Sequence, residues 1–151
     1  MIVSAIAAAF FFLGGHAQPQ QDVRSGIWRV HVVHDSFTGG VSCRISTRNA
    51  VVLGSDLVLH LGRGVDTTAA LYRVDGGVVQ DAFPTRAPWQ DPAADFGNPS
   101  AGLVPAPLKT VVGAKFIWVR ASDRLPARRF DVAGLGEALA SAAAQSCPLI
   151  P

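Results

Sequence analysis

Between Ile27 and His34 the sequence alternates: Trp28, Val30 and Val32 fall on one side of an extended chain, Arg29 and His31 on the other. A period of two carried by β-branched and aromatic residues marks a strand with one face in a core and one in water. The rhythm returns after a turn at Asp35 to Gly40, where Val41, Cys43 and Ile45 alternate with Ser42, Arg44 and Ser46. Asp56 to Leu61 predicts a third strand with Leu57, Leu59 and Leu61 inward, and Ala69 to Val74 a fourth. Asp75-Gly76-Gly77 then reads as a hairpin turn, because these residue types tolerate a positive φ. Val78 and Val79 begin the return strand. Lys115 to Arg120 is apolar on both faces and reads as a central strand. Ser122 to Arg128 makes another turn, and Arg129 to Val132 closes the strand set.

Two stretches break the pattern. From Asp81 to Pro107 the chain holds Pro84, Pro88, Pro92, Pro99, Pro105 and Pro107. Proline cannot donate to a β-ladder, so residues 81–107 read as a long loop with room for one short edge strand. Near the C-terminus, Leu135, Ala138, Leu139 and Ala142 recur at helical spacing in an Ala-rich run free of β-branched residues. This predicts one amphipathic helix over 134–146, with Gly134 as N-cap, Glu137 in the first turn and Pro148 beyond its end. The expected fold is all-β: a small β-sandwich of seven or eight short antiparallel strands with one C-terminal α-helix. The length of 151 residues fits one such domain.

The first residues belong to a different class. Met1 to Leu13 is an unbroken apolar run, followed by small residues that suit cleavage after Ala17. Such a run is shorter than the roughly 20 residues of a membrane-crossing helix and reads as a secretory signal peptide over 1–17. A polar leader over 18–26 and the domain over 27–147 would follow, with no transmembrane segment in the mature chain. The expected location is periplasmic or secreted. In an oxidising compartment an even number of thiols reads as a disulfide, so Cys43 and Cys147 are expected to pair and pin the C-terminal segment to an early strand.

Chemistry is harder to find. Thirteen Lys and Arg against eleven Asp and Glu give a net charge of +2, too small and scattered for a nucleic-acid footprint. His31 and His34 lie three apart and so point to opposite faces of a strand. That makes them weak metal candidates, along with His60 from another strand. No G-x-S-x-G occurs, Glu137 is the one glutamate, and the ten aspartates fall mostly in turns. Neither a catalytic residue nor a cofactor is expected. Arg120, Arg124, Arg128 and Arg129 cluster around one turn and could receive an anionic partner. Trp28 and Trp118 read as core. Trp89 and Phe96, in the proline-rich segment, read as exposed contact residues.

Trp28 at the first strand, Cys43 in the second, Val74-Asp75-Gly76-Gly77 in mid-chain and the closing run Phe130 to Leu139 together give a resemblance. Over about Ile27 to Leu139 the chain resembles the invasion-associated locus B family, small exported proteins of alphaproteobacteria with a β-sandwich-like domain. Members usually carry a Cys soon after the first-strand Trp and another pair after the mid-chain turn; those positions here hold none. The resemblance implies an envelope or host-invasion role without a described reaction, and it transfers no catalytic residue. The expected function is therefore that of an exported, non-catalytic protein that meets an envelope or host protein. The alternative is a small periplasmic ligand- or metal-binding module.

Overall fold

A computed structural model describes residues 20–83 and 101–148. The expected signal peptide, Trp89 and Phe96 lie outside the described residues. The chain forms two antiparallel sheets and a C-terminal helix, an all-β fold of the expected class.

The larger sheet has six strands in the order β1-β2-β3-β4-β5-β8. They are β1 (Gln20–Ser25), β2 (Trp28–His34), β3 (Val41–Ser46), β4 (Ala50–Leu53), β5 (Asp56–His60) and β8 (Leu103–Pro107). The smaller sheet holds β6 (Leu71–Val74), β7 (Val79–Asp81), β9 (Phe116–Arg120) and β10 (Arg128–Asp131), in the order β10-β9-β6-β7. A single helical turn, α1 (Leu108–Val111), follows β8, and α2 (Leu135–Ala144) ends the domain. One apolar core runs across both sheets and α2, with Trp28, Leu57, Leu59, Ile117 and Leu135 among its fully buried side chains.

The alternation that announced β2 is obeyed: Trp28, Val30 and Val32 are buried and Arg29 is exposed. Ten strands replace the expected seven or eight, and the additions have physical reasons. Part of the supposed polar leader is β1, which pairs with β2 from Gln20↔Val33 to Ser25↔Trp28. Its pairing is made by backbone groups, so its polar side chains do not prevent it. The short strand β4 is joined to β5 by Gly54 and Ser55, with Gly54 at φ 56°.

The short edge strand for which the proline-rich stretch left room is β8, paired to β5 at the sheet edge. Leu108 donates its N–H to the Ser55 carbonyl at 2.8 Å, so the even-numbered residues of this segment turn their backbone groups toward β5. Pro105 and Pro107, at odd positions, place their missing donors on the outer edge, where no ladder bond is lost. In the turn after β6, neither glycine of Asp75-Gly76-Gly77 takes the positive φ; Asp75 does, at 48°. Its carboxylate accepts N–H bonds from Lys115 at 3.1 Å and Phe116 at 3.0 Å, tying this turn to the start of β9.

Helix α2 packs across β1, β2 and β3 and is held at both ends. At its start, the Trp28 indole Nε1 donates to the Ala133 carbonyl at 3.0 Å, and Gly134 occupies the N-cap with φ 81°. At its end, Ser146 adopts φ 60° and returns Cys147 toward the sheet. Cys147 is bonded to Cys43 of β3 with a Cα–Cα separation of 5.7 Å, within the usual disulfide span.

Candidate interaction face

Alternation in the smaller sheet sends Ile117, Val119, Phe130 and Tyr72 into the core. The opposite residues of each strand form its outer face. Strand register places Val79, Arg73, Trp118 and Arg129 in one row across β7, β6, β9 and β10. Trp118 therefore has a guanidinium-bearing neighbour directly on each side. The adjacent row brings Leu71 opposite Arg120.

Phe116 sets the Trp118 ring from behind. The two rings meet edge to face, with centroids 6.4 Å apart and planes at 87°. The Arg129 guanidinium lies 5.7 Å from the Phe116 ring centroid, a cation–π distance. Trp118 remains half-buried and Val79 is 55% exposed. A groove of about 200 Å³ opens between Leu71, Arg73, Val79, Trp118, Arg120 and Ala127. That is below the ~300 Å³ at which small-molecule pockets begin and suits one inserted side chain.

The face carries charges of both signs, but its guanidiniums are mostly left without a carboxylate partner among the described residues. Arg120 bonds Asp123 at 3.1 Å, but the Asp123 side chain is 90% exposed, and such pairs are weak. Arg73 and Arg129 have no carboxylate partner among the described residues. Two acids share the face by register, Asp81 opposite Leu71 and Asp131 opposite Phe116; each keeps its charge while accepting one backbone N–H, Asp81 from Phe83 at 2.8 Å and Asp131 from Ala133 at 3.0 Å.

Sequence reasoning found part of this face. Arg120 and Arg129 are on it. Arg128, their neighbour in sequence, points the other way, donates Nη1 to the Leu61 carbonyl and lies 5.6 Å over the Phe130 ring. Arg124 is exposed in the β9–β10 connection. Arg73 was missed, although its place in an alternating strand between inward-facing neighbours was a usable signal. Trp118, read as core, sits on the outer face.

The histidines do not converge. His31 on β2 bonds Asp22 of β1 through Nδ1 at 2.7 Å. This contact, with help from Arg29 and Arg24, holds the Asp22 carboxyl below its ordinary range. His34 lies on the other face of β2, and His60 is exposed on β5. Two strands separate β2 from β5, so three strand spacings alone put His31 and His60 at least about 14 Å apart, and the register adds an offset along the strands. Among the described residues, no three His, Cys, Asp or Glu are grouped to hold a metal. Asp35, the neighbour of His34, is taken by its loop. It receives the Thr38 hydroxyl at 2.6 Å and the Phe37 N–H at 2.8 Å, which draw its carboxyl below the usual range.

The outer face of the larger sheet is also cationic, with Arg24 opposite Arg29 and His31 opposite Arg44. No tryptophan lies on this face among the described residues.

The fold and face together define a class: a small all-β domain, closed by one disulfide, with a tryptophan–arginine surface on its smaller sheet. Comparison with protein-family profiles, with curated proteins and with solved structures gives no match. No described helix is long and apolar enough to cross a membrane. A disulfide fits an oxidising compartment.

Proposed function

We propose that this chain is an exported, non-catalytic interaction protein of the periplasm or cell exterior that binds an envelope or host protein through the outer face of its smaller sheet. The observation that carries the reading is the row Val79–Arg73–Trp118–Arg129, an aromatic ring between two guanidinium side chains that have no carboxylate partner among the described residues. Tryptophan and arginine are the side chains most often found to dominate binding energy at protein interfaces. Export is supported by the apolar run of Met1 to Leu13 and by the Cys43–Cys147 bond. The resemblance to invasion-associated locus B proteins, with its Asp75–Gly77 turn and closing Phe130 to Leu139 run, belongs to the same proposal.

The test is affinity capture from the native envelope fraction with three forms of the chain. The wild type and a variant altered on the larger sheet, R24E/R29E, are expected to retain the same partner; R73E/R129E is expected to lose it. Capture that R73E/R129E leaves intact and R24E/R29E abolishes would refute the assignment.

A further inference from the structure

We propose that the groove over Trp118 receives an extended acidic peptide segment of another protein, with one apolar side chain in the groove and flanking carboxylates on Arg73 and Arg120. This deepens the reading above and rests on it.

Three observations select that occupant. The groove has an apolar floor and wall, formed by Leu71, Trp118, Val79 and Ala127, and its volume of about 200 Å³ matches a single side chain. Its charged lining is the guanidiniums of Arg73 and Arg120, which can receive a ligand anion; Asp81, opposite Leu71 in the same row, does not line it. Arg73 has no ion pair among the described residues, and the Arg120 bond to exposed Asp123 is readily exchanged. Arg73 and Arg120 stand diagonally on neighbouring strands, about 8 Å apart at the backbone, so two carboxylates of one extended segment can be met together.

The donor set favours an anion over a sugar ring stacked on Trp118. Each sugar hydroxyl brings an O–H donor as well as an acceptor, whereas guanidinium carries donors only. The hydroxyl of Tyr72, the one hydroxyl in the groove's lining, is spent as a donor to Gln80 Oε1 at 2.9 Å on the inner side. A carboxylate, an acceptor with no hydrogen to place, suits such a rim.

The experiment is an NMR titration of the full chain, expressed into an oxidising compartment and ¹⁵N-labelled. The probe is a ten-residue peptide alternating glutamate with leucine and phenylalanine. Comparators are the same peptide with lysine for glutamate, and an oligogalacturonate of equal charge. The acidic peptide is expected to move the Trp118 indole N–H and the amides of Arg73 and Arg120. R73Q/R120Q is expected to weaken binding about tenfold, and R24Q/R29Q to leave it unchanged. Binding of the oligogalacturonate in place of the peptide would overturn the proposal, as would equal binding of the lysine peptide or shifts centred on Arg24, Arg29 and Arg44. If only a W89A/D91N/D95N variant takes up the peptide, the groove is filled by the chain's own acidic segment and the proposal also fails. Peptide failure beside successful capture that depends on Arg73 and Arg129 would remove this inference alone; failure of that capture would remove the interaction reading itself.

Discussion

Reduction of Cys43–Cys147, or its replacement by C43A/C147A, opens a loop whose ends are 104 residues apart. For a loop of that length the chain-entropy relation gives about 4.7 kcal/mol of lost stability. Measured losses fall between about 2 and 5 kcal/mol, because unfolded chains keep some compactness. We expect about 3–5 kcal/mol here, since the bond joins β3 to the end of α2 and so closes nearly the whole domain. With a urea slope of about 1–3 kcal/mol per molar, the midpoint of unfolding should fall by about 2 M. The thermal midpoint should drop by roughly 12–20 °C. The assay is urea unfolding followed by circular dichroism, comparing the oxidised chain, the reduced chain and C43A/C147A. The reduced chain and the double variant should agree, because both differ from the oxidised chain by the same cross-link. A midpoint shift under about 0.5 M in both would refute the reasoning. It would mean that residual structure in the unfolded chain already holds these ends together as strongly as the covalent bond.

Three further substitutions probe other parts of the fold. W28F removes the indole bond to the Ala133 carbonyl at 3.0 Å and leaves a space in the core; a loss of about 2–3 kcal/mol is expected in denaturant unfolding. G102A puts a Cβ about 2.0 Å from the Gly62 carbonyl oxygen, at a backbone φ of 68°. It should cost about 2–4 kcal/mol, whereas G26A, with open space around it, should cost only the left-handed backbone penalty of about 1–2 kcal/mol. The third probe is acid. The Asp35 carboxyl is depressed by the Thr38 hydroxyl and the Phe37 amide, so its contribution to the folded loop is complete above the ordinary carboxylate value of about 3.9 and is lost as pH falls through the lower folded-state value. In an acid titration the Phe37 and Thr38 amide resonances should shift in that lower window, and D35N should abolish the shift. A transition at or above the ordinary carboxylate value would contradict the depression.

Much of the architecture was legible because burial imposes a period of two on any strand with one wet face. Trp28, Val30 and Val32 carried that signal openly, and Leu135, Ala138 and Ala142 carried the helical period of 3.6 in the same way. Strand β1 did not, because Val23 is its one apolar side chain and its existence depends on backbone pairing with β2. Strand β8 was legible as one short edge strand within residues 81–107, but Pro105 and Pro107 hid its position. Their spacing of two, which puts both missing donors on one edge, was the available clue. The face around Trp118 was half legible for a similar reason. Sequence proximity grouped Arg128 with Arg129, whereas alternation sends neighbours on a strand to opposite faces. Sheet pairing then supplied Arg73 from a distant segment, and no local pattern reports such a partner. Trp118 was misplaced because Phe116, Ile117, Trp118 and Val119 are all apolar, so hydrophobicity alone cannot tell the inner side of β9 from the outer.

The central claim is that the smaller sheet's outer face is where this protein meets its partner. The most direct measurement is photo-crosslinking in living cells of the source organism, with a benzophenone side chain placed at exposed Val79, beside the groove, or at exposed Ser42, on the outer face of the larger sheet. The account predicts one discrete adduct from position 79, its loss when R73E/R129E is added, and none from position 42. A partner crosslinked from position 42 and not from position 79 would contradict it.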